Sequence, residues 1–163
     1  MPQLIKNGEI VEDNWILLCD QEAETDVPAG QQIVPLAVWE AQRERLLARG
    51  DVGVWLDSDE EPHRLEADLA QLPVIAINFP VFSDGRGYSY ARLLREKYNY
   101  QGELRAIGDV LRDQLFFMKR CGFDAFDLRE DLDKQACLAA FGDFTESYQT
   151  AVDQPVPLFR RRQ

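Results

Sequence analysis

The sequence predicts an α/β fold: a mainly parallel sheet built from repeated βα units, open or curled into a half-barrel, with an N-terminal β-hairpin. Three observations carry this. Short apolar runs at 52–56, 74–78, 103–107 and 123–128 alternate with helical stretches at 62–71, 89–98, 110–120 and 132–141, the rhythm of βαβ units. Asn7-Gly8 sits between apolar runs at 4–6 and 9–18, the strongest short signal for a hairpin. The 163 residues suffice for one core but hold too few βα units for a full eight-stranded barrel. An open twisted sheet is the simpler architecture and a half-barrel the alternative.

The elements follow in order. Residues 20–30 are polar and contain a proline, so they read as a loop, and 33–36 as a short extended segment. The helix expected at 39–49 gathers Trp39, Leu46 and Leu47 on one side and stops at Gly50. Pro62 opens the next helix at its first turn, where a missing N–H costs nothing. Ser89 is expected to cap the helix at 89–98, and Asp109 the helix at 110–120, which ends at Gly122. Right-handed crossovers put the strand C-terminal ends on one edge. The whole chain, 1–163, reads as a single α/β domain. Residues 1–19 form its hairpin and 153–163 an extended basic tail, in which Pro155 and Pro157 forbid a helix and Arg160-Arg161-Arg162 add charge.

Composition excludes several classes. A net charge of −11 argues against nucleic acid as a partner, because phosphate binding needs a basic face. No apolar run approaches the roughly 20 residues of a membrane span, and residues 1–8 lack the long apolar core of a signal peptide, so the expected location is cytoplasmic. Three cysteines, Cys19, Cys121 and Cys137, form no CxxC and no even framework; they read as reduced, packed thiols. The single histidine, His63, lies in a polar stretch, and no metal site is expected.

Ligands of parallel α/β sheets bind beyond the strand C-terminal ends. That edge collects Asp57 from the first βα strand, then Asn78, Ser83, Asp84 and Arg86, then Gly108 and Asp109, then Asp127 and Arg129. The stretch from Phe79 to Ser89 is the most pointed. Gly85 and Gly87 flank Arg86 where a loop opens a helix, and a helix start exposes N–H groups to an anion. A guanidinium grips phosphate, sulfate or carboxylate with two parallel bonds. Gly85, Arg86, Gly87 and Ser89 are therefore candidate ligand-binding residues. The competing reading has the glycines permit positive φ and Arg86 pair with Asp84. Arg105 joins the candidates because a charge inside an apolar strand needs either a polar cleft or a partner such as Glu103, Asp109 or Asp127. Asp84, Tyr88 and Asp109 are the candidates for proton transfer. Asp109 and Asp113 stand four residues apart, which a cation or simply Arg112 and the helix dipole would explain.

The block at 79–95 (FPVFSDGRGYSYARLLR), with 102–115 (GELRAIGDVLRDQL) and Arg120-Cys121-Gly122-Phe123-Asp124-Ala125-Phe126, resembles a bacterial family catalogued as domain of unknown function 934. Members are commonly labelled oxidoreductases of sulfite reduction, because their genes lie beside those of sulfite or nitrite reductases. The resemblance implies a role in assimilatory sulfur metabolism and brings no catalytic residue with it. The residues themselves show no flavin or nicotinamide fingerprint and no Fe–S cysteine set, so no cofactor is evident. Two functions stay open: an accessory protein or oxidoreductase of assimilatory sulfite reduction with a small-anion site at the strand edge, and a non-catalytic partner or assembly factor for sulfite or nitrite reductase, with the basic tail as a docking element.

Overall fold

The computed structural model describes residues 3–19, 22–81, 83–128 and 132–142. Strands β1 (Gln3–Lys6) and β2 (Glu9–Glu12) form the expected hairpin, with Lys6 opposite Glu9. Asn7 and Gly8 both take positive φ, 53° and 80°, as a two-residue turn matched to strand twist requires. The hairpin is shorter than expected. Its second strand ends at Glu12, because the Asp13 carboxylate accepts the Trp15 N–H two residues on and turns the chain. The chain then crosses to β3 (Ile16–Leu17), which pairs with β4 (Gln32–Pro35).

From β4 onward the expected alternation holds. The elements are α1 (Leu36–Ala41), α2 (Arg43–Arg49), β5 (Val52–Leu56), a 3-10 helix (Pro62–Gln71), β6 (Val74–Phe79) and α3 (Arg86–Arg92), which continues as a π-helical turn (Leu93–Lys97). Then come β7 (Glu103–Gly108), a 3-10 turn (Arg112–Gln114), α4 (Leu115–Cys121), β8 (Ala125–Phe126) and α5 (Lys134–Gly142). The helix expected at 39–49 is split at Gln42, whose side-chain amide leaves the helix line to donate to the carbonyls of Ala23 and Thr25. The strand expected at 123–128 shrinks to two residues.

The sheet order is β2-β1-β8-β7-β6-β5-β4-β3. The sheet is mixed rather than mainly parallel: β3 to β8 run parallel in chain order, while β1 is antiparallel to both β2 and β8. The cause is the short hairpin, which returns beside β8. Chain order also decides between the two expected architectures. Right-handed crossovers between successive neighbours leave every helix on the same face. Seven strand spacings of about 4.8 Å would set the outer strands of a flat sheet about 34 Å apart. Yet β2 and β3 are joined by only three residues, a span of at most about 14 Å from Glu12 to Ile16. The sheet must therefore curl, and it is a half-barrel.

Alternation along each strand sorts the core. Val34, Val54, Ile75, Ile77, Leu104 and Ala106 meet the helices on the convex face. Ile33, Val74, Ala76 and Ile107 point to the concave face, where Trp15, Leu17 and Trp55 pack against them. The Trp55 indole donates to the Leu18 carbonyl, at 2.9 Å, and fastens that cover. Among the described residues no helix is long and apolar enough to cross a membrane. The tail at 153–163 and Arg129 lie outside the described residues.

Candidate functional site

The C-terminal ends of β5, β6 and β7 bring Asp57, Asn78 and Asp109 to one edge, as the strand order requires. Asn78 donates to Asp57 Oδ1 at 3.0 Å, and the Ser58 N–H donates to the same oxygen at 2.8 Å. Ser58 is buried and is the junction of the site. Its hydroxyl accepts Arg86 Nη2 at 2.9 Å, and its carbonyl accepts the Tyr90 hydroxyl at 2.6 Å. Sequence reasoning passed over Ser58; its signal was its position immediately after Asp57 at a strand end.

Arg86 is held by Asp84 along two lines. Nε donates to Oδ1 at 3.1 Å and Nη2 to Oδ2 at 2.8 Å. Asp84 Oδ1 also accepts the Arg86 backbone N–H at 3.0 Å. These contacts hold the Asp84 carboxyl down to about 2, first through the guanidinium bond and then through the backbone bond. The N–H group that an external anion would use at the start of α3 is thus engaged by the chain's own carboxylate. The expected pairing of Arg86 with Asp84 is what the structure contains, and the Arg86 side chain remains 56% exposed beside it.

The glycines act differently from either expectation. Neither Gly85 nor Gly87 has positive φ. Gly87 is a packing residue: a Cβ there would stand 2.7 Å from two ring atoms of Phe79 and 3.1 Å from Ile77 Cγ2. A Cβ on Gly85 would meet nothing within 4 Å. Ser89 is not a cap. The helix starts three residues earlier, because Asp84 engages the Arg86 N–H, and Ser89 lies exposed inside α3. Tyr88 turns from the loop into the α3–α4 interface, with its ring 5.1 Å from Phe79 and 4.9 Å from Phe117. Burial pushes its hydroxyl pKa up.

Asp109 does not cap α4 either. Gly108, at φ 89°, turns the chain, and the Asp109 N–H donates to the Phe79 carbonyl at 2.8 Å. Helical structure resumes only at Arg112, so Asp109 and Asp113 share no helix face. Among the described residues no group of three or more His, Cys, Asp or Glu is arranged to hold a metal.

Arg105 does not join Arg86. It lies on the concave face of β7, 3% exposed. Nη1 donates to both Asp13 oxygens at 3.0 Å, and Nε donates to Glu103 Oε2 at 2.8 Å. Lys6 completes the cluster with a 2.8 Å bond to Glu103 Oε1. Of the expected partners Glu103 is present. Asp13, 92 positions away, was not foreseen, and its signal was the polar break Asp13-Asn14 within an apolar run.

The family described as bacterial protein of unknown function (DUF934) matches over residues 53–159, which run from within β5 through α5 and include the whole Ser58–Asp84–Arg86 group. The chain belongs to that family. No curated protein and no solved structure matches it.

Proposed function

We propose, with membership of this family as the premise, that the protein is a non-catalytic accessory protein of assimilatory sulfite reduction, a partner or assembly factor for a sulfite or nitrite reductase. The sulfur context comes from the family resemblance and from the label its members carry. One observation favours the non-catalytic role: Asp84 already fills the anion position at the head of α3 and neutralises Arg86. An internal ion pair of this kind makes a defined surface knob rather than an open charge waiting for substrate.

The second reading, an oxidoreductase with a small-anion site, draws on the half-exposed Arg86 guanidinium, fixed in place by Asp84 and Ser58. Two measurements on the full chain separate them. Co-migration with a sulfite or nitrite reductase in size-exclusion chromatography supports the accessory role. A thermal-shift series with sulfite, sulfate and phosphate is expected to leave the melting temperature unmoved. Ligand at 100 times its dissociation constant adds about 2.7 kcal/mol, roughly 5–11 °C at 2–4 °C per kcal/mol for this chain length. A shift of that size, lost in Arg86→Ala, overturns the accessory reading in favour of the anion site.

A further inference from the structure

Two helices of the outer layer, α3 and α4, carry an unusual surface. Four large apolar side chains are exposed among the described residues. The two that helices carry are Leu93, where α3 passes into its π-helical turn, and Phe117 of α4, 38% and 44% exposed. By contrast α1, α2 and the 3-10 helix at Pro62–Gln71 expose no large apolar side chain. The Phe117 ring lies 4.9 Å from that of Tyr88, so α3 and α4 meet beside it. On α3, Ser89 stands three residues from both Arg86 and Arg92 and four before Leu93, spacings that put neighbours on one helix face. On α4, Arg120 follows Phe117 by three residues, with its guanidinium 5.7 Å from the Phe116 ring.

The charge of this layer opposes that of the chain. Residues 86–97 and 112–121 hold seven basic and two acidic side chains, in a protein of net charge −11. The acidic two are Glu96, 3.9 Å from Arg92, and Asp113, exposed four residues before Phe117. Asp84 pairs with Arg86 but is 12% exposed against 56% for the arginine, so the surface presents the guanidinium. A carboxylate-rich partner is therefore repelled over most of the molecule and attracted here, which fixes where and how it lands. Apolar side chains with arginines around them also match the anatomy of a docking patch, where aromatic residues and arginine are enriched.

We propose that the outer face of α3 and α4 is the surface on which the reductase partner docks, and that the partner meets it with an acidic patch bearing a large apolar side chain. That side chain packs on Phe117 and Leu93, and the carboxylates around it face Arg86, Arg92 and Arg120. The inference rests on the accessory role proposed above. It adds the face that is used and the chemistry of the surface that covers it.

Biolayer interferometry of the full chain against an immobilised sulfite or nitrite reductase tests it. Phe117→Ala removes the apolar anchor and should weaken the complex about ten-fold or more. Ser89→Glu sets a carboxylate between Arg86 and Arg92 without touching a packed residue, and its helix spacing to both arginines favours the fold. It should slow association, and added salt should slow the parent more than this variant. Ala48→Glu, the same charge change on exposed α2, should bind as the parent does. Circular dichroism checks that each variant is folded. A complex that Phe117→Ala and Ser89→Glu form as tightly as the parent, or that Ala48→Glu weakens equally, overturns this face and leaves the accessory role standing. A chain that is dimeric alone and monomeric as Phe117→Ala assigns the face to a second copy and overturns the proposal. No complex with either reductase overturns the accessory role, and the docking face with it.

Discussion

Replacing Gly87 by alanine separates a packing glycine from a loop glycine. The new Cβ would sit 2.7 Å from Phe79 Cε2 and Cζ and 3.1 Å from Ile77 Cγ2. Ordinary carbon contacts lie near about 3.5–4.0 Å, so α3 or the ring must move by roughly 1 Å. The ring has nowhere to go. Phe79 is 1% exposed, with Tyr88 at 5.1 Å and Phe123 at 5.8 Å. Overpacking of a filled core costs about 1–3 kcal/mol. Alanine returns at most about 1 kcal/mol of helix propensity over glycine. The net is about 1–2 kcal/mol of destabilisation, a fall of roughly 2–8 °C in melting temperature for a chain of this length. Gly85→Ala is the control. Its Cβ meets nothing within 4 Å and its φ is −86°, so it should stabilise by about 0.4–1 kcal/mol through the unfolded state. Urea unfolding of both variants, extrapolated linearly, measures the pair. A Gly87→Ala protein as stable as the parent, or a Gly85→Ala protein less stable, refutes the assignment of Gly87 to packing.

Three further outcomes are expected. Arg105→Met strands Asp13 and Glu103 on the concave face with only Lys6 to offset them, and should cost about 3–5 kcal/mol in urea unfolding. Gly108→Ala places a side chain at φ 89° with its Cβ 2.3 Å from Asn78 Oδ1 and 2.6 Å from the Phe79 carbonyl oxygen, and should cost at least about 2 kcal/mol by the same measure. The Asp84 carboxyl, held at about 2, lies below its unfolded value of about 3.9; its contribution to stability is therefore present above pH 4 and lost as pH falls towards 2. Carboxyl NMR of Arg86→Ala, which keeps the backbone N–H bond, should find the Asp84 midpoint moved up towards the ordinary value, and a midpoint still near 2 would remove the Arg86 guanidinium as the main cause.

The parallel run was legible because its signals are local. Val74 to Phe79 and Glu103 to Gly108 are short apolar runs between turn residues, and Asn7-Gly8 fixes a hairpin by φ alone. The half-barrel was legible only as an alternative, since curling follows from where β2 and β3 sit at opposite edges, a fact no local pattern contains. Helix starts failed for a shared reason. Ser89 and Asp109 are good cap residues by type, but side-chain and backbone partners elsewhere moved each start: Asp84 engages the Arg86 N–H, and the Asp109 N–H goes to Phe79. Arg105 was singled out correctly as a charge that needs partners. Its main partner lies 92 positions away, and such a distance is written in topology rather than in spacing.

The Arg86 loop carries the sharpest tension between sequence and geometry, and it bears directly on function. A glycine-flanked arginine at a helix start satisfies every composition rule for an anion cradle. The same segment, however, carries an aspartate two positions earlier. A tethered group acts at an effective concentration that a free ion must exceed, in the millimolar range or above for short links. Asp84 adds three hydrogen bonds to that advantage, two to the guanidinium and one to the backbone N–H. An incoming oxyanion would have to break those bonds and then sit beside the displaced carboxylate, with Asp57 one residue from Ser58. The same contacts tie the Arg86 side chain to Ser58, and through it to β5 and β6, so under the accessory role proposed above that side chain is held in place before docking. Rigidity reduces the entropy lost in association. That is an advantage to a docking surface and none to a cradle already filled.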